Sequence, residues 1–177
     1  MLLFLKSTLI MKKNYSIRTA VYKDISAISD IYNDEVKNGT ATFDISPKPF
    51  SEWEVWFSDH NINNHPLIVI ETDGKIAGYA SLSSYREKEA YAGTTELSVY
   101  VAKDFRGRGF ASALLSNLIL QAKNDPRTHL IVSVITGGNE ASIHLHKKFG
   151  FTYCGTIHEA GKKFGKFLNI DNYELIV

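Results

Sequence analysis

Residues 94–124 read TTELSVYVAKDFRGRGFASALLSNLILQAKN, and this stretch decides the fold. Residues 94–101 alternate: Leu97, Val99 and Val101 fall on one face, Glu96, Ser98 and Tyr100 on the other, as in a strand. From Gly109 the period changes, and Leu115, Leu118, Ile119 and Ala122 recur as the core stripe of a helix running to about residue 124. Between the two lies Arg106-Gly107-Arg108-Gly109-Phe110-Ala111. Successive backbone N–H groups at a helix start, helped by the helix dipole, make an anion cradle. Glycines there let a phosphate approach the backbone closely. No Gly-Lys-Ser/Thr follows, so this is not a nucleotide P-loop, and the spacing departs from the dinucleotide fingerprint G-x-G-x-x-G. The plain alternative is a tight turn into a helix that binds nothing.

Working outward, residues 15–21 alternate enough for a first strand. Asp24 reads as an N-cap, followed by Ile25, Ile28, Ile31, Tyr32 and Val36 at helical spacing until Gly39. Residues 40–50, with Pro47 and Pro49, read as a loop. Ser51 with Glu54 predicts a capping box and a helix over 51–61 carrying Trp53, Trp56 and Phe57 as a core stripe. Residues 67–71 and 76–82 flank Asp73-Gly74 as a hairpin. Residues 130–135 (LIVSVI) form a central strand, 139–149 a last helix ended by Gly150, and 152–157 and 169–177 two closing strands joined by a Lys- and Gly-rich loop. The expected order is β-α-α-β-β-β-α-β-α-β-β: an α/β single domain around one mixed, mostly antiparallel sheet of about seven strands flanked by about four helices.

The chain has 177 residues, enough for one domain with a sizeable core. Apolar residues make up 44% and charged residues 22%, which argues against disorder as the main architecture. A net charge of +1 gives no electrostatic case for nucleic acid or an anionic membrane, and no apolar run reaches the roughly 18 residues of a membrane span. The single cysteine, Cys154, excludes an intramolecular disulfide, reads as a small buried hydrophobe, and fits a reducing cytoplasm. Lys6 interrupts the apolar run of residues 1–11, and Lys12 and Lys13 follow it, the wrong charge order for a secretory signal. Residues 1–13 therefore read as an extension ahead of a domain at 14–177. It is either a frayed tail or an over-extended reading frame with Met11 as the true start.

The segment ELSVYVAKDFRGRGFASALL resembles the acetyl-CoA site of the GNAT superfamily of N-acetyltransferases. That family's pattern is Gln or Arg, two residues, Gly, one residue, Gly or Ala; here it is Arg106, Gly109, Ala111. NEASIHLHKKFGF resembles a second block of the family, Asn, a helix, then Gly-Phe. IYNDEVKNGTATFD, EWEVWF, GYASL, TELSVYV and AGKKFGKFL together are similar to the phosphinothricin and methionine sulfoximine N-acetyltransferase branch, over nearly the whole chain from Tyr15.

The resemblance implies a single GNAT-like domain and acetyl-CoA as co-substrate, held by Val99, Tyr100, Val101, Arg106, Gly107, Arg108, Gly109, Phe110, Ala111, Asn139 and Ser142. It implies direct transfer to the primary amine of a small amino-acid analogue, and a homodimer. No nucleic acid, membrane or metal partner is expected, since His60, His65, His129 and His158 show no ligand spacing.

Deprotonating an ammonium needs a base, and a glutamate inside an apolar strand is unusual. Glu96 is the base in the resembled branch; an ion-pair acid is its structural alternative. At 100° per residue, Asn139, Ser142 and His146 share a face, whereas His144 lies about 200° from His146. His146 is thus the candidate acid for the leaving thiolate, or else a core histidine. Arg86 and Tyr91, before the Glu96 strand, are candidates for the acceptor carboxylate and an apolar wall. Two other classes stay open: a non-catalytic acyl-CoA sensor, which needs neither Glu96 nor His146, and an enzyme acting on protein N-termini or lysines. Phe167 and Asn169 stand where the branch usually has Trp and Asp, which leaves the acceptor open.

Overall fold

A computed structural model describes residues 14–177; the expected N-terminal extension lies outside the described residues. Seven strands form one sheet in the order β1-β2-β3-β4-β5-β7-β6. They are β1 (Ser16–Thr19), β2 (Leu67–Thr72), β3 (Lys75–Ser84), β4 (Thr94–Val101), β5 (Leu130–Thr136), β6 (Thr152–Lys163) and β7 (Lys166–Ile176). Four helices flank it: α1 (Ile25–Asn38), α2 (Phe50–Ser58), α3 (Phe110–Asn124) and α4 (Glu140–Lys148).

The period-2 pattern of the strands builds two cores. On β2, Leu67 and Val69 face α1 and α2, where they join Ile25, Ile28, Ile31, Trp53 and Tyr79. Their neighbours Ile68 and Ile70 face α3, with Leu82, Leu97, Leu114, Leu115, Leu118 and Ile131. Leu114, Leu115 and Leu118 are fully buried, each contributing roughly 1.5–3 kcal/mol by leaving water. The expected face split of β4 holds: Leu97, Val99 and Val101 pack toward α3, Tyr100 toward α1 and α2.

Four local expectations are corrected, in whole or in part. The α2 helix starts at Phe50 with Pro49 as N-cap, so Ser51 lies inside the first turn and caps nothing; Glu54 instead accepts a hydrogen bond from the Tyr22 hydroxyl. Asp24 is the N-cap residue of α1, as expected, but its side chain makes no capping hydrogen bond to that helix. Its carboxylate takes a bidentate pair from Arg18, at 2.6 and 3.0 Å, and the N–H of Val21 at 2.9 Å. The Lys- and Gly-rich segment is not a loop: β6 and β7 continue through it to a two-residue turn, Phe164-Gly165. Both turn residues have positive φ (50° and 77°), the type I′ geometry that matches strand twist. Cys154 is exposed, because β6 is the outermost strand and the ladder shifts register between Tyr153 and Gly155. Among the described residues, no helix is long and apolar enough to cross a membrane.

Candidate active site

The sheet is two antiparallel halves joined by a short parallel seam. Pairing of β4 with β5 covers only Thr94↔Leu130, Thr95↔Ile131 and Glu96↔Val132. Beyond it, β4 stays paired to β3 as far as Val101, and β5 to β7 as far as Thr136. Each strand therefore keeps its outer neighbour while the inner edges part. Backbone donors and acceptors along 97–101 and 133–136 face this opening, and an extended ligand with amides of its own suits such edges. The opening belongs to a cavity of about 1150 Å³, above the roughly 300–1,000 Å³ of a usual small-molecule site.

At its mouth stands the start of α3. Gly107 and Gly109 have φ of +76° and +79°, left-handed backbone that favours glycine. Gly109 is the N-cap and has no side chain to satisfy the first-turn N–H groups. A Cβ at either glycine would meet nothing within 4 Å, so the space above this turn is open for an anion. Arg106 donates through Nε to Val101 O at 3.2 Å and pairs through Nη2 with Glu35 of α1.

Glu96 sits at the apex of the opening, the last residue of the parallel seam. Its half-buried carboxylate finds no hydrogen-bond or ion-pair partner among the described residues, and burial pushes its pKa up. Facing it across the α1/α2 side is an aromatic wall in mutual edge and stacking contact: Tyr32, Trp53, Trp56, Tyr79 and Tyr100. Residues 40–42 bridge the parted strands: Thr136 Oγ1 donates to Thr40 O, and the Tyr100 hydroxyl to Ala41 O at 3.3 Å. Lys163 of the long hairpin, 3% exposed, secures this bridge by donating to Thr42 O at 2.8 Å and Glu35 O at 3.2 Å.

His146 lies on the opposite face of the sheet, only 2% exposed, with its ring edge-on to Phe151. Its Nδ1 is 2.7 Å from Ser142 O and its Nε2 is 2.8 Å from Ser133 Oγ. Burial lowers its pKa, so the ring is neutral at pH 7. Asn139 caps α4, its Oδ1 accepting from Ser142 N at 3.2 Å.

The profile of the acetyltransferase (GNAT) family matches residues 27–151, which contain both the glycine turn and the Glu96 strand. The chain belongs to the GNAT family of acetyltransferases. It is 38% identical to an L-methionine sulfoximine/L-methionine sulfone acetyltransferase of Pseudomonas aeruginosa, over 90% of this chain and 93% of that one. It is 37% identical to a phosphinothricin N-acetyltransferase of Streptomyces coelicolor, over 89% and 94%. A GNAT phosphinothricin acetyltransferase of Sinorhizobium meliloti, solved in complex with AcCoA, superposes with a TM-score of 0.88 at 32% identity, covering 93% of this chain and 89% of that one.

Within this GNAT site, the cavity gathers Glu96, Val99, Tyr100, Val101, Arg106, Gly107, Gly109, Phe110, Ala111, Asn139, Ser142 and His146. Three expected residues stay off its wall. Arg108 stacks on Phe105 and Phe110, at 5.5 and 5.3 Å from their ring centres. Exposed Arg86 stacks on Tyr85 and Tyr91, at 4.8 and 5.7 Å, and neither Arg86 nor Tyr91 lines the cavity. Sequence reasoning missed Ser133, Lys48 and the bridge at 40–42, and treated Trp53 and Trp56 as core only, whereas they also line the wall. The adjacent aromatics at i and i+3 were a signal for that wall; Lys48, in a Pro-flanked loop, offered none. Among the described residues no group of three or more His, Cys, Asp or Glu is placed to hold a metal.

Proposed function

We propose that this enzyme moves the acetyl group of acetyl-CoA directly onto the primary amine of a free amino-acid analogue: methionine sulfoximine, methionine sulfone or phosphinothricin. The observation that carries this reading is an unpartnered, desolvated Glu96 at the apex of the parted strands, in one cavity with the glycine turn of α3. The turn amides and Arg106 would bind the pyrophosphate, and the edges of β4 and β5 the extended pantetheine arm. Acetyl-CoA supplies an activated thioester. Glu96 takes a proton from the acceptor ammonium, and the aromatic wall excludes water around the amine. His146, with Asn139 and Ser142 beside it, serves the departing thiolate from the other face. The activities carried by the names of the relatives support the acceptor class.

The acceptor carboxylate is assigned to Arg86, with Tyr91 as its stacking support; Lys48, which lines the cavity and pairs with Asp44 at 3.2 Å, is the rival cation. A sensor module would need no unpaired carboxylate in its cavity, which favours the enzyme reading over that alternative. We also assign the protein to the cytoplasm, which its single, unpaired cysteine supports, and to a homodimer. The exposed apolar side chains Tyr153, Ile157, Phe164 and Phe167 of the β6–β7 hairpin support the latter. The deciding experiment is thiol release from acetyl-CoA across a panel of amines containing the three analogues, ordinary amino acids, polyamines and peptides. Turnover confined to peptides or polyamines would overturn the acceptor class, and no release with any amine would overturn the reaction.

A further inference from the structure

His146 can serve a thiolate only through a neighbour, because both of its nitrogens are already engaged. A carbonyl oxygen only accepts, so the 2.7 Å contact with Ser142 O fixes the proton on Nδ1. A neutral ring protonated there leaves Nε2 as an acceptor, and Ser133 Oγ at 2.8 Å is its donor. The hydroxyl and the imidazole, in contact with each other, both line the cavity. Its place in the sheet adds to this. Val132 is the last residue of β5 in the parallel seam, so Ser133 is the first beyond it, beside the apex that Glu96 occupies on β4. Along β5, Ile131, Ser133 and Ile135 share the α3/α4 face. Glu96 therefore approaches the apex from one side of the sheet and Ser133 from the other.

We propose that Ser133 is a catalytic hydroxyl of this site, relaying protons between the reacting atoms and His146 Nε2, with His146 as the positioned acceptor behind it. The proposal rests on the acetyltransferase reading. After the neutral amine attacks, the new N–C bond leaves a proton too many on nitrogen. Ser133 Oγ accepts that proton while its own passes to Nε2, giving an imidazolium. When the C–S bond breaks, the imidazolium returns a proton to Oγ, and the Oγ proton goes to the departing sulfur. Serine and imidazole end as they began. Burial makes the imidazole a weak base, so the imidazolium is the stronger acid and gives its proton up readily.

Two measurements test this. Histidine ¹⁵N NMR of the wild-type protein, assigned by difference with His146→Gln, should show His146 protonated on Nδ1 and bare on Nε2 at pH 7; a proton on Nε2 overturns the relay. In kinetics, Ser133→Ala should lower kcat on the order of 10²-fold, with acetyl-CoA affinity unchanged by calorimetry. Ser133→Thr, which keeps the hydroxyl, should recover most of it. The proton inventory of kcat in H₂O–D₂O mixtures should bow for wild type and straighten for Ser133→Ala. An alanine variant that binds acetyl-CoA normally and turns over within about threefold of wild type, or a straight wild-type inventory, overturns the relay while the acetyltransferase reading stands. A wild-type protein that releases no thiol with any amine overturns both.

Discussion

Glu96→Gln should separate catalysis from stability. The carboxylate has no hydrogen bond or ion pair to lose among the described residues, and its only perturbation is burial. Because the folded-state pKa is raised, the folded protein binds more protons than the unfolded chain between the unfolded and folded values. This group's contribution to stability therefore falls as pH rises through that window, and above it the carboxylate is a net cost. An uncharged isostere removes that cost, so the variant should melt at or above the wild-type temperature at pH 7. Catalysis should move the other way. A general base supplies roughly 10²–10⁴-fold, or about 3–5 kcal/mol of barrier, and kcat should fall by that factor with acetyl-CoA affinity preserved. The wild-type acid limb of kcat/KM should lie above the ordinary glutamate range, since activity needs the carboxylate ionised, and the limb should vanish in the variant. Thiol release, calorimetry and thermal melting read these three quantities. Turnover within about threefold of wild type, or an unchanged acid limb, would refute the assignment of Glu96 as base.

Other outcomes follow from the same geometry. Gly109→Val places a β-branched residue at φ +79°, which should cost roughly 1–2 kcal/mol of stability and weaken acetyl-CoA at least tenfold, about 1.4 kcal/mol; unchanged affinity by calorimetry in a folded variant would remove the cradle. Lys163→Met leaves the bridge at 40–42 without its anchor, so it should destabilise by about 1–3 kcal/mol and raise the acceptor KM more than the acetyl-CoA KM. Arg86→Ala should raise the acceptor KM alone, and the methyl ester of the acceptor should lose activity on wild type but little more on the variant. If Lys48→Ala shows that pattern instead, the carboxylate is read from inside the cavity.

The parts of this site legible in sequence are those whose pattern is local. Strand β4 is found to the residue because its two faces differ in polarity, and α3 because a glycine turn and an apolar stripe mark its start and face. The hairpin of β6 and β7 was half hidden, since an outer strand exposed along most of its length has no alternation to read, and Phe164-Gly165 is not among the strong turn dipeptides. Ser51-x-x-Glu54 carried a valid capping signal, but Pro49 starts the helix earlier and Tyr22 claims the glutamate. The Ser133–His146 pair was invisible, because helical geometry gives the face of His146 and says nothing about which strand residue lies beneath it. The parting of β4 from β5 depends on each strand's other neighbour, which no local pattern encodes.

The sheet order has a consequence for synthesis. Strand β7 lies between β5 and β6, although it follows both in the chain. While the chain is still emerging, β5, with Ile131, Val132 and Ile135 among its buried residues, therefore has no neighbour on its outer side. That half of the domain can complete only when the segment Lys166–Ile176 arrives to zip against it. A nascent or C-terminally clipped chain would display an apolar open edge, the kind of surface that recruits chaperones or a second unfinished copy. Truncations before residue 166 should accordingly be insoluble, whereas a circular permutant that supplies β7 early should fold at lower chaperone demand.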